Sequence, residues 1–261
     1  MDIITARTNP LIVETSKLKD RKRREETRTF LFEGIKLTRE AISSGVKLNR
    51  IFLTEKAAAR YKDLADRKEA VLISDSVCMK LSENTAPEGI VCVADYLDIH
   101  TEGDTLGNIH SETDKIGLIL SSVRDPGNLG TIVRTSAALG SPALVISKDS
   151  ADLYNQKTVR ASMGALFRTR IYRSDNLVST IEELKKAGKT VYATALTDKA
   201  VSLRDVKNAK ESCFVLGNEG HGLDESVISA CSATVIIPME EGAESLNVSS
   251  AATVLLWEGY R

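Results

Sequence analysis

Residues 236–257 read IIPMEEGAESLNVSSAATVLLW. An apolar strand over Thr234–Ile237 stops at Pro238, and a polar loop bearing Glu240, Glu241, Gly242 and Glu244 follows. Beyond Ser245-Leu246-Asn247, the residues Val248, Ala251, Ala252, Leu255 and Leu256 recur at helical spacing, which predicts a helix over Leu246–Glu258. Either Ser245 or Asn247 suits its N-cap, because a short polar side chain accepts from the free N–H groups of a first turn. A glycine-bearing loop between a strand end and a helix start is a place to hold a ligand.

Two upstream segments repeat this grammar of strand, glycine turn and helix: Ser121–Gly140 (SSVRDPGNLGTIVRTSAALG) and Phe214–Leu223 (FVLGNEGHGL). Each is weak alone, since glycines at strand ends mostly serve tight turns. Three such loops from one sheet would converge on one site. Between Ile116 and the C-terminus, apolar runs alternate with helical patterns. The strands expected are Ile116–Ser121, Ala143–Ile146, Thr169–Tyr172, Thr190–Ala195, Cys213–Gly217 and Thr234–Ile237. The helices expected are Asn128–Leu139, Asn155–Phe167, Leu177–Ala187, Leu223–Ala230 and Leu246–Glu258. Short continuous apolar strands fit a mostly parallel sheet covered by helices on both faces. Thr194 and Ala195, at the end of one strand, are expected to wall the same pocket.

The first hundred residues form a smaller α/β pattern. Phe30–Ile42 (FLFEGIKLTREAI) runs from strand to helix through Glu33-Gly34, and Arg50–Leu53, Ala70–Ile73 and Gly89–Ala94 read as buried strands. The polar stretch before Ile116 lacks apolar periodicity, which predicts domains over residues 1–99 and 116–261 with a linker at 100–115. Lys17–Arg28 (KLKDRKRREETR) is the densest positive cluster, with Lys17, Lys19, Arg21, Lys22, Arg23 and Arg24 in it. It is either a solvated helix face or an arm that meets phosphates.

Composition narrows the class. With 261 residues, 42% hydrophobic and 27% charged, the chain is an ordinary globular one of net charge −1, so nucleic-acid binding would need a local basic patch. No apolar run approaches the roughly 20 residues of a membrane span, and the N-terminus lacks the features of a signal peptide. Cys78, Cys92, Cys213 and Cys231 show no C-x-x-C pairing, which favours buried, reduced thiols in a cytoplasmic protein. The three histidines have no ligand spacing, so no metal is expected. The glycine loops follow neither the dinucleotide nor the Walker pattern.

Asn128-Leu129-Gly130-Thr131-Ile132-Val133-Arg134 resembles the first motif, N-x-G-x-x-x-R, of the SpoU (TrmH-type) RNA 2′-O-ribose methyltransferases. Leu216-Gly217-Asn218-Glu219-Gly220 resembles the second motif. Ile237-Pro238-Met239 followed by Ser245-Leu246-Asn247-Val248-Ser249 resembles the third. The segment around Phe30–Ala41 is similar to the ribosomal-protein-like substrate-binding domain of rRNA-modifying members, although Glu88 stands where many relatives carry glutamine. The resemblance implies a deep trefoil knot, S-adenosylmethionine as cofactor and a homodimer. It also implies a ribose 2′-hydroxyl of structured RNA as acceptor, with large-subunit rRNA ahead of tRNA. By the same resemblance Arg134, Asn128, Glu219, Ser245 and Asn247 are the catalytic candidates, and Leu216, Gly217, Ile237, Met239 and Leu246 hold the cofactor with Thr194 and Ala195. Arg134 serves either as a charge clamp or as the base. Arg160 joins the basic arm as an RNA contact. Two rival readings are a non-catalytic RNA-binding protein that keeps the fold and a knotted methyltransferase acting on a base nitrogen.

Overall fold

The computed structural model describes residues 2–102, 116–141, 143–218, 220–240, 242 and 245–261. Twelve strands are described: β1 Thr29–Glu33, β2 Leu48–Thr54, β3 Ala70–Ile73, β4 Ile90–Asp95, β5 His100–Glu102, β6 Ile116–Leu120, β7 Ala143–Ser147, β8 Arg170–Ser174, β9 Thr190–Thr194, β10 Val201–Ser202, β11 Ser212–Leu216 and β12 Ala233–Ile236. The α-helices described are α1 Pro10–Ser16, α2 Arg21–Thr27, α3 Ile35–Ser43, α4 Glu55–Arg60, α5 Lys62–Ala65, α6 Asp75–Leu81, α7 Pro126–Ala138, α8 Gln156–Ala161, α9 Leu177–Lys186, α10 Glu225–Ala230 and α11 Val248–Tyr260.

Two compact units divide the chain: Met1–Leu97 with Asp152–Phe167, and Asp98–Ala151 with Arg168–Arg261. The first contains a four-stranded sheet of order β1-β4-β2-β3. One face packs Leu31, Phe52, Val91 and Val93 against Ile12 of α1 and Val77, Cys78 and Leu81 of α6. Alternation along β1 turns Phe30 and Phe32 to the other face. Phe30 lies 4.7 Å, ring to ring, from Tyr154, and Phe32 lies 5.3 Å from Phe167. Residues 152–167 therefore group with this unit, although their place in the chain counts them with the second half. They share that sheet face with α3, whose Thr38 hydroxyl lies 3.3 Å from Cys92 Sγ. An ion pair fixes the same segment, with Arg24 Nη2 donating to Asp152 Oδ2 at 2.6 Å.

The second unit is an eight-stranded sheet of order β10-β12-β9-β11-β6-β7-β8-β5. Every pairing in it is parallel. In β11, Cys213 and Val215 are buried with α9 and α10 on one side. Phe214 and Leu216, which alternate with them, are buried as well, so both faces are covered. Helices α7 and α11 pack on each other and against the central strands. Two edge strands, β5 and β10, were not expected. They carry only His100-Thr101-Glu102 and Val201-Ser202, too short for any period to register. The segment expected to be linker thus begins as a strand, and its residues 103–115 lie outside the described residues. Among the described residues no helix is long and apolar enough to cross a membrane, and no cluster of three or more metal-ligating side chains forms.

All four cysteines are buried. Desolvation pushes the thiols up, to about 11 for Cys78 and Cys231 and about 12 for Cys92 and Cys213. The reactive thiolate is then scarce at neutral pH. Ellman's reagent at pH 7.5 is expected to leave the native protein almost unlabelled and to count four thiols after denaturation.

Candidate active site

Because the strands of the second unit are parallel, their C-terminal ends share one edge of the sheet. The loops after β6, β9, β11 and β12 all leave from that edge, beside the point where the chain switches from filling one side of β6 to the other. Open parallel sheets bind ligands at such a place. A cavity of about 290 Å³ lies instead at the opposite edge, where Gly117, Ser141 and Ser212 stand at strand starts, and it contains none of the motif side chains.

After β6 the chain turns through Ser121–Asp125 into α7. The cap is Asp125, whose carboxylate accepts from the Asn128 N–H at 2.8 Å, with Pro126 at the first helical position. This corrects the start expected at Asn128. Pro126 has the fixed φ suited to that position. Asn128 is consequently inside the first turn. Its Oδ1 accepts from Asn247 Nδ2 at 3.2 Å across 119 residues. The orientation of the Asn247 amide is self-consistent. Asn247 is the N-cap of α11, and its Oδ1 accepts from the Ser249 N–H at 2.9 Å and the Ser249 hydroxyl at 2.6 Å. Its NH₂ group is thereby left to face Asn128. The cap is Asn247 rather than Ser245, and α11 begins at Val248 rather than Leu246.

Arg134 lies six residues beyond Asn128, about 9 Å along the helix axis. It is exposed and forms no ion pair with a described residue. The Asn128 amide is thus tied to Asn247 at the helix start.

The loop after β11 closes on itself. Asn218 and Gly222 exchange backbone hydrogen bonds, Asn218 N–H to Gly222 O at 3.0 Å and Gly222 N–H to Asn218 O at 2.9 Å. Gly222 has φ +69°. A Cβ on Gly217 would stand 2.4 Å from the carbonyl carbon and oxygen of Gly222 and 2.8 Å from the Leu223 nitrogen. Only glycine fits there, and Gly217→Ala is expected to displace the turn. Urea unfolding is expected to show a stability loss of about 1–3 kcal/mol from overpacking. Glu219 lies outside the described residues.

Asn218 links the loops: its Nδ2 donates to the Ser122 carbonyl at 2.9 Å and its Oδ1 accepts from the Gly220 N–H at 2.8 Å. Sequence reasoning gave Asn218 no part; the only signal was an amide between glycines. Thr194 donates its hydroxyl to the Val215 carbonyl at 2.8 Å, pinning the ends of β9 and β11 together. Ala195 and Ile237 are half-buried, and Leu216 is buried. Leu196, Met239 and Leu246 are large apolar side chains exposed at 82%, 40% and 41%. Ser245 is exposed as well.

The basic arm divides. Lys17, Arg21 and Arg23 are exposed or half-buried and paired with Glu14, Glu25 and Glu26 on the surface. Lys22 is exposed. Contrary to the expectation from charge density, Arg24 is 3% exposed and points inward. Its Nη1 donates to the carbonyls of Leu18 and Lys19 at 2.8 and 2.7 Å. Lys19 also turns its ammonium onto the carbonyls of Lys80 and Ser82, at 2.9 and 2.7 Å. Arg160 is exposed on α8, donating to Asn84 Oδ1 at 2.8 Å.

Three loops from parallel strand ends, cross-linked through Asn128, Asn247, Ser122 and Asn218, meet at the C-terminal edge of an α/β sheet. Residues 115–257 match the SpoU rRNA Methylase family, and residues 9–92 match the MRM3-like substrate binding domain. The chain belongs to the SpoU rRNA methylase family. It is 32% identical over 257 residues to the 23S rRNA (guanosine(2553)-2′-O)-methyltransferase RlmP of Bacillus subtilis, covering 98% of each chain. It is 30% identical over 200 residues to a 23S rRNA (uridine(2479)-2′-O)-methyltransferase of Streptomyces viridochromogenes, covering 75% of this chain and 68% of that one. The AdoMet-bound rRNA methyltransferase of Sinorhizobium meliloti has the same fold, with a TM-score of 0.83 and 28% identity over 99% of this chain and 97% of that one.

Proposed function

We propose that this protein transfers the methyl group of S-adenosylmethionine to a ribose 2′-hydroxyl of 23S rRNA. The observation that carries this reading is the bond between Asn128 and Asn247, which joins the N-x-G-x-x-x-R helix to the S-L-N-V-S cap at the edge where ligands bind. The residues suit the cofactor. Exposed Leu196, Met239 and Leu246 offer apolar faces to an adenine ring, and the strand ends at Leu216, Gly217 and Ile237 offer backbone groups to its edge, with Thr194 and Ala195 alongside. The cofactor supplies an electrophilic methyl group on sulfonium.

The 2′-hydroxyl is a weak nucleophile at neutral pH, so its developing negative charge needs stabilising. Arg134 performs this role as a charge clamp on the ribose and its phosphate, since a guanidinium keeps its proton. Glu219, Ser245 and Asn247 orient the acceptor. The acceptor nucleotide is unpaired, because its ribose must enter a protein pocket. Lys17, Arg21, Lys22, Arg23 and Arg160 hold rRNA phosphates; the transfer itself uses no metal.

The chain segment after β12 forms the trefoil knot, a reading supported by the return of α11 to α7 past β9 and β11 in the sheet order. The protein works in the cytoplasm as a homodimer. Val254, Trp257 and Tyr260 repeat every third residue on α11 and are exposed, which supports a self-association face. Incubation with methyl-labelled S-adenosylmethionine and unmodified transcripts tests the reading: label in 23S rRNA and not in tRNA is expected. Cofactor binding without label in any RNA would overturn it.

A further inference from the structure

The carboxylate of Asp149, two residues beyond β7 and outside every motif, makes contacts that reach the loop after β11. Asp149 Oδ2 accepts from the Ser122 hydroxyl at 2.5 Å, and Oδ1 accepts from the Ser147 hydroxyl at 2.6 Å. Arg124 Nη2 approaches Oδ2 at 3.5 Å. The Ser122 N–H donates to Ser147 Oγ at 2.8 Å, and Ser147 Oγ lies 3.0 Å from Ser150 Oγ. Ser122 is thus held at its nitrogen and its hydroxyl. It needs holding, because its φ is +56°, a left-handed conformation that non-glycine residues disfavour. That conformation aims the Ser122 carbonyl at Asn218 Nδ2, 2.9 Å away. Asn218 in turn bonds the N–H of Gly220 through its side chain and the N–H of Gly222 through its backbone.

From this chain of contacts we infer that Asp149 is a positioning residue for the Gly217–Gly222 turn: it locks Ser122 in the left-handed conformation, and Ser122 anchors Asn218. The inference deepens the proposed function, since it rests on that turn holding S-adenosylmethionine. Burial raises the Asp149 carboxyl, but the hydrogen bonds from Ser122, Ser147 and Arg124 outweigh it and leave the group below its ordinary value. It is an anion at neutral pH and a strong acceptor for both hydroxyls.

The test uses the full-length Asp149→Ala protein, with cofactor affinity by calorimetry, transfer kinetics and amide hydrogen exchange. Affinity for S-adenosylmethionine is expected to fall about tenfold, the scale of one hydrogen bond to a charged group. KM for the cofactor rises while KM for RNA stays within twofold. The Gly220 and Gly222 amides exchange faster while those of β6 and β11 keep their protection. Asp149→Asn, which keeps a carbonyl acceptor, falls between. Combining Ser122→Gly with Asp149→Ala adds no further loss, because both changes act through one contact. The inference is overturned if Asp149→Ala keeps wild-type affinity and wild-type exchange at Gly220 and Gly222, or if protection is lost throughout the sheet. Should the wild type bind no cofactor, the proposed function fails, and exchange at Gly220 and Gly222 still decides what Asp149 does.

Discussion

Arg134→Ala is expected to lower kcat by about 10²- to 10³-fold, or ~2.7–4 kcal/mol of transition-state stabilisation, as when one preorganised donor to a developing oxyanion is removed. The expectation follows from where the side chain stands. Helix α7 is fixed at its start by Asp125 and Pro126 and by the bond between Asn128 and Asn247. Arg134 projects from that fixed helix, exposed and without an ion pair among the described residues, so its charge is available to substrate. A permanently protonated guanidinium has no proton to gain, and its value lies in the charge it brings to a forming alkoxide. Cofactor affinity should therefore stay within about threefold of wild type, which separates a clamp from a fold defect. Arg134→Lys restores part of the rate, because it keeps the charge and loses the two-pronged geometry. Single-turnover transfer and calorimetry on the three proteins measure this; an Arg134→Ala enzyme within fivefold of wild-type kcat would sink the assignment.

The largest stability effect belongs to Arg24. Its Nε and Nη2 donate to Asp152 Oδ2 at 3.1 and 2.6 Å, and its Nη1 satisfies two carbonyls. The side chains are 3% and 13% exposed, so solvent screens the pair little. Arg24→Ala leaves the nearly buried Asp152 without its cation, and it orphans the carbonyls of Leu18 and Lys19. Breaking a buried pair from one side costs about 3–5 kcal/mol. The same change frees the Asp152–Phe167 segment that covers Phe30 and Phe32. Urea unfolding should show a loss of that size for Arg24→Ala and below 1 kcal/mol for exposed Lys22→Ala. Equal, small losses would mean that the ion pair is not what holds the segment.

Legibility in the sequence followed the range of the interactions. The parallel sheet was readable because strands buried on both faces leave continuous apolar runs, as in Ser212–Leu216 and Ala143–Ser147. The motif loops were readable because glycine and asparagine spacing is local. Four of the five helix starts expected after Ile116 were misplaced, by one or two residues: the cap-then-proline signature at Asp125-Pro126 was passed over in favour of Asn128, and Asn247 competed with Ser245. What could not be read was long-range. Nothing near Arg24 in a run of cations distinguishes it from Arg21 or Arg23; only a carboxylate 128 positions later does. The same distance hid the grouping of residues 152–167 with the first unit. Asn218 carried no signal beyond an amide between glycines, because its partner, the Ser122 carbonyl, has no side-chain identity to recognise.

The account turns on which atom receives the methyl group. Methylated 23S rRNA from a reaction with the purified protein, digested to nucleosides and analysed by mass spectrometry, answers that directly. A 2′-O-methyl nucleoside is predicted, with alkali unable to cleave the phosphodiester on its 3′ side and with Arg134→Ala leaving that signal at background. Methyl groups found on a base nitrogen, with every ribose unmodified, would contradict it.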